Sequence, residues 1–188
     1  MNTRRVTNRL AELSALHHKF ESFEDTLRHI REFGVGIISV AEDDRALGWT
    51  YSTGLYDTYG QPEIIVTGFP PNLAKFIINE MGRRYAKGIA AQEDIPTRDL
   101  IGNDLSCIFK PVDKVWVNRL MLRTLWFYGS DNFPSLQCIC PDFEGLFPWE
   151  EGFDERWKSR QALLYPGAPR GKAETQLWNV SGSERSVQ

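Results

Sequence analysis

Histidine and cysteine are both scarce in this chain, with three of each in 188 residues. So little histidine leaves little room for a histidine-based triad or a nitrogen-ligated metal. His17 and His18 are neighbours, about 100° apart on a helix, and His29 stands alone. All three read as surface or boundary residues. An odd, low cysteine count argues against a disulfide framework. Cys138 and Cys140 share a face if their segment is a strand. With Cys107 they offer three sulfurs, but no Cys-x-x-Cys pair and no visible fourth ligand. They read as buried structural thiols, with metal or redox chemistry as the alternative.

Other absences exclude more. The chain has no G-x-x-x-x-G-K-[ST], no G-x-S-x-G and no H-E-x-x-H. No catalytic residue, metal ligand or cofactor is therefore assigned. No apolar run reaches the ~18 residues of a membrane helix. Met1-Asn2-Thr3-Arg4-Arg5 is basic, but polar residues follow where a secretory signal would be apolar, so a cytoplasmic protein is expected. Residues 1–94 carry 11 basic and 13 acidic side chains, and residues 95–188 carry 11 and 12. Neither half is basic, which disfavours nucleic acid as a partner. The small cluster Arg83, Arg84 and Lys87 falls at a predicted helix end, where cations also suit the helix dipole.

What is present is an ordinary globular composition, 41% hydrophobic and 25% charged, on a chain long enough for one core. Apolar spacing predicts helices over 3–19 and 23–33, the second capped by Ser22 and stopped at Gly34. Residues 35–40 and 48–53 read as a hairpin around a polar turn at 42–45. Gly54, Asp57, Gly60 and Pro62 mark 54–62 as a loop. The run Ile64-Ile65-Val66 predicts a strand over 63–68 buried on both faces. Pro70-Pro71 opens a helix to about Tyr85. A strand at 105–112, a helix at 114–128 and a strand at 135–140 follow, and beyond Pro141 the periodicity fades.

The sum is an α+β fold. It is a single domain with a mixed, mostly antiparallel sheet of about five strands packed by about four helices. Residues 1–20 are expected to be a helical extension, 21–167 the domain, and 168–188 a partly disordered tail.

Two constellations carry the candidate binding residues. The first is the 54–62 loop with its flanks: Trp49, Tyr51, Thr53, Gly54, Tyr56, Asp57 and Glu63. Rings, hydroxyls and carboxylates beside a glycine suit a polar-aromatic ligand or a protein partner. Glu63 begins a buried strand and needs partners there. It could cap N–H groups of the loop or touch a ligand. The second runs from 126 to 157, with nine aromatics in 32 positions, and contributes Tyr128, Gln137 and Trp149. It reads as a lid on the core or as an interface hot spot. The acidic groups at 42–44 and at Glu144, Glu150 and Glu151 read as solvated turn charges, with acid–base chemistry or a hard cation as the alternative.

These residues also carry a resemblance. The chain resembles the bacterial domain-of-unknown-function family 4262 through Gly48-Trp49-Thr50-Tyr51-Ser52-Thr53-Gly54-Leu55 and Gly60 to Phe69. The likeness continues at Phe127-Tyr128-Gly129, Phe133 to Gln137, and Pro141-Asp142 to Glu150. It spans about residues 30–165 and implies a self-contained domain, but no activity. The Thr-Gly-Leu strand end, the Pro-Glu strand and the Pro-Pro helix of residues 50–80 are also similar to the suppressor-of-fused-like superfamily. Many bacterial members of that group look like immunity proteins that bind a toxin. A protein-binding module using an aromatic surface, of immunity or anti-effector type, is therefore the leading expectation. The alternative is a small-molecule-binding domain or enzyme with a pocket between the 53–63 loop and the 126–157 segment.

Overall fold

The run Ile64-Ile65-Val66 marks the middle of the molecule, because both faces of its strand are covered. The structure is a computed structural model that describes residues 9–15, 23–43, 47–102 and 104–178. Strands β1 (Gly36–Val40), β2 (Trp49–Thr53), β3 (Glu63–Thr67), β4 (Ile108–Pro111) and β5 (Ser135–Ile139) form one sheet in the order β1-β2-β3-β5-β4. Only the β3–β5 pair is parallel. The sheet is thus mixed and mostly antiparallel, as its hairpin and crossover signals predict.

On one face, Ile64, Val66, Leu136, Cys138 and Phe109 pack with Ala74, Ile77, Ile78 and Met81 of helix α4 (Pro71–Ala86). On the other face, Ile65, Tyr51 and Trp49 meet Trp116, Val117, Leu120 and Met121. The alternation of Ile64 and Val66 against Ile65 explains why β3 reads as continuously apolar. A smaller cluster joins Leu10 and Leu13 of α1 (Arg9–Ala15) to Leu27 and Ile30 of α2 (Glu24–Phe33) and to Phe127. The remainder of the predicted 3–19 helix, Ser22 and part of the 42–45 turn lie outside the described residues.

Three segments differ from the sequence reading. The 54–62 loop contains a short helix, α3 (Leu55–Tyr59), entered through Gly54 at φ +102. A Cβ there would sit 2.9 Å from Ile30, so glycine is needed for its backbone angle and its lack of bulk alike.

The predicted 114–128 helix is two helices, α5 (Lys114–Leu120) and α6 (Leu122–Tyr128), broken at the buried Met121 with φ −107 and ψ 45. No proline or glycine causes the break. Strand β2 supplies partners for the backbone groups around it. Trp49 Nε1 donates to the Leu120 carbonyl at 3.0 Å, and the Tyr51 hydroxyl accepts from Arg123 N at 3.2 Å.

Beyond β5 the chain forms α7 (Glu155–Lys158), a buried stretch at 161–164, and α8 (Lys172–Trp178), which buries Ala173 and Leu177. The described helices therefore number eight rather than about four, the additional ones being short. Among the described residues no helix is long and apolar enough to cross a membrane.

Candidate functional site

Glu63 opens β3 with its side chain fully buried, and an ionised carboxylate in that position needs donors. It has four. Oε1 accepts from Gly54 N at 2.8 Å, Tyr56 N at 3.2 Å and the Tyr128 hydroxyl at 2.6 Å. Oε2 accepts from Ser52 Oγ at 2.5 Å, which in turn accepts from Ile64 N. Tyr128 Oη also accepts from Asp57 N at 3.1 Å. One carboxylate thus joins β2, α3, β3 and α6. Burial pushes the Glu63 carboxyl above its usual range, and the hydrogen bonds from Ser52, Tyr128, Tyr56 and Gly54 work against that rise. Burial and the neighbouring Glu63 likewise hold the Tyr128 phenol well above its ordinary value.

The other predicted residues of the first constellation are part of the same junction. Thr53 Oγ1 donates to Thr124 Oγ1 at 2.8 Å, which donates to the Ser52 carbonyl. Tyr51 is buried, and desolvation raises its phenol to about 12. Trp49, Thr53, Gly54 and Asp57 are also buried, and Tyr56 half-buried with its ring 6.0 Å from that of Tyr128. Gln137 lies apart from them. Its Nε2 donates to the Ala162 carbonyl at 2.6 Å and to Thr67 Oγ1, while its Oε1 accepts from Leu164 N at 2.8 Å.

Trp149 alone of the ten is exposed. It stacks on Phe147 at 5.2 Å, meets Tyr165 edge-on, and has the Lys110 ammonium 5.2 Å from its ring. Lys110 is itself paired with Asp94. Arg83 and Arg84, the basic pair of α4, both bridge to Glu80.

An open groove lies elsewhere, at the end of β3 and β5. Phe69, Pro70, Leu73, Ile101, Leu105, Pro141, Phe143 and Trp157 wall a space of about 190 Å³. Phe69 stacks on Trp157 at 5.4 Å, and Phe143 stands edge-on to Trp157 while 72% exposed. The one polar lining residue is Asp142. Its Oδ1 accepts from Glu144 N and Leu146 N and its Oδ2 from Asp154 N, each at 3.0 Å. The carboxylate therefore shapes the 142–154 turn and offers the groove little free chemistry. The sequence reading places Phe143 and Trp157 in the aromatic segment but does not single them out. The signal is Pro141-Asp142 with Gly145 three residues on, an Asx-type turn that aims Phe143 outward.

The three cysteines converge beneath α4. Their sulfurs lie within 4.8 Å of one another, with Cys107 and Cys140 at 3.6 Å. Hydrogen bonds from the Cys138 and Cys140 thiols pull the Cys107 thiol below its ordinary value, and the same contacts push theirs up.

Residues 29–154 match the family described as Domain of unknown function (DUF4262). No curated protein and no solved structure matches the chain.

Proposed function

The chain belongs to the DUF4262 family, and from that premise, which carries no activity with it, we propose that it is a protein-binding module whose contact surface is the aromatic groove beside Phe143. The observation that carries this reading is the groove's size and chemistry. Pockets for drug-sized ligands run from about 300 to 1,000 Å³ and place several polar groups toward the ligand. A space of about 190 Å³ with one committed carboxylate suits a single apolar side chain of a partner better. Aromatic anchors in such pockets dominate protein interfaces. Of the polar residues that could have served a reaction, Tyr51, Glu63 and Tyr128 have their side chains bonded within the fold, and Asp57 is fully buried. In this reading Trp49, Tyr51, Thr53, Gly54, Tyr56, Asp57, Glu63, Tyr128 and Gln137 hold the scaffold rigid, and the exposed Trp149, on Phe147 and Lys110, is a second aromatic contact residue. An immunity or anti-effector protein needs that combination, because it acts by occupying its target.

Native mass spectrometry of the protein purified gently from its own host tests the proposal. A stoichiometric second polypeptide, lost on Phe143→Asp while the fold is retained, is expected. A retained small molecule would favour the ligand-binding alternative, and the bare monomer would overturn a tight partner.

A further inference from the structure

We infer that Cys107, Cys138 and Cys140 form a binding site for one thiophilic monovalent metal ion, copper(I), held by three sulfurs. Ile108 pairs with Ile139 and Phe109 with Cys138, so Cys107 falls opposite Cys140 and Cys138 lies two residues along the same face. At Phe109–Cys138 and Cys107–Cys140 the β4–β5 amides turn outward, the arrangement that brings facing side chains closest.

The backbone positions are fixed independently. Cys107 exchanges both backbone hydrogen bonds with Thr97, at 2.8 and 2.7 Å. Cys140 exchanges both of its own with the Gln161 side chain, each at 2.8 Å. Three sulfurs around one ion at ~2.3 Å would stand about 4 Å apart. The sulfurs here all lie within 4.8 Å of one another, so modest side-chain movement suffices.

Ion class follows from the surroundings. Zinc in structural sites takes four ligands. Among the described residues this group has three, and no histidine or carboxylate joins it. Its neighbours in the same core cluster include the apolar, buried Phe109, Leu100 and Leu136 and the Tyr85 ring, and the Arg84 guanidinium acts on Cys107 electrostatically. Soft sulfur ligands select copper(I), which does not need the fourth ligand that structural zinc takes. Each thiol that becomes a thiolate ligand releases its proton to solvent, so occupancy falls in acid. A disulfide between Cys107 and Cys140 would use only two of the three sulfurs. The groove wall includes Leu105 and Pro141, within two residues of Cys107 and Cys140, so the groove is the side from which an ion would enter.

The test is anaerobic titration of the reduced full-length protein with copper(I) against a chromophoric copper(I) chelator, read together with native mass spectrometry. One copper per chain is expected. Cys107→Ala, Cys138→Ala and Cys140→Ala should each weaken binding about tenfold or more, with folding checked by circular dichroism. X-ray absorption at the copper edge of the wild-type complex provides a readout that needs no variant, and three sulfur neighbours are expected. Two sulfur neighbours, no stoichiometric copper, or equal affinity in the Cys138→Ala protein would overturn the site.

Discussion

The junction around Glu63 and the flank from Pro141 to Trp157 are both rich in aromatic and acidic residues, yet they are built in opposite ways. At the junction the four donors converge on one buried carboxylate. Along the flank the carboxylates of Asp142 and Glu150 fold the local turns, through Glu144, Leu146, Asp154 and Phe147 amides, and the rings of Phe143 and Trp149 are left facing out. The difference teaches where to look for function. Polar residues that satisfy one another inside a fold set its shape, whereas exposed rings next to a small cavity are what a partner can use.

The sharpest way to break this comparison is Glu63→Ala. Two amides, Gly54 N and Tyr56 N, would lose their acceptor, and the Ser52 and Tyr128 hydroxyls would have to find others. Each unsatisfied buried donor costs about 1–3 kcal/mol, so a loss of about 3 kcal/mol or more is expected in urea unfolding. A loss below 1 kcal/mol would mean that the junction is not the tie described.

Next in size is Gly68→Ala. Gly68 has φ +73, and a Cβ there would fall 2.1 Å from the Arg160 carbonyl oxygen. Since backbone must move, about 2–3 kcal/mol is expected. The damage should stay on the flank side. Amide exchange should speed up at 161–164 and remain slow at 52–64, and equal acceleration of both would merge the two regions into one.

The two regions were not equally legible in the sequence. Glu63 could be read as a cap because its need is local: a carboxylate after a proline, at the head of an apolar strand, beside a glycine-bearing loop. The hairpin and β3 were legible for the same reason. The break at Met121 was not, because Trp49 and Tyr51 lie 71 and 72 residues from the Leu120 and Arg123 backbone groups they bond, and the interrupted segment keeps a helical apolar pattern. The stretch at 161–164 has no strand ladder to announce it. Gln137, Gln161 and Glu174 side chains hold its backbone or tie it to β5, a set of contacts visible only in three dimensions. The thiol cluster was half legible, since spacing puts Cys138 and Cys140 on one face but nothing local adds Cys107.

A gentler change sharpens the electrostatic side of the comparison. Glu63→Gln keeps the shape and an acceptor for Gly54 N and Tyr56 N, and should cost about 1 kcal/mol at neutral pH. Its value lies in the pH dependence. The folded-state pKa of Glu63 is raised, mainly by burial. Folding therefore favours the protonated form. That contribution to stability is fully present below the unfolded-state value of about 4.3 and is lost as pH rises through the higher folded-state value. The stability advantage of the wild type over Glu63→Gln should accordingly shrink as pH rises across that window. A difference that does not change with pH would mean that Glu63 titrates as it does in the unfolded chain.

The smallest expected effect is the most informative about function. Phe143 is 72% exposed and touches the fold chiefly through the edge of Trp157 at 5.8 Å. Exposed positions change stability by about 0.5 kcal/mol, and one aromatic edge contact adds a comparable amount. Phe143→Ala should therefore unfold within about 1 kcal/mol of wild type. That near-neutrality makes any binding defect interpretable, because the partner would be lost from a scaffold that is otherwise intact. A loss as large as that expected for Glu63→Ala would show instead that the flank is an internal brace, and that its exposed ring belongs to the core's support and not to a contact surface.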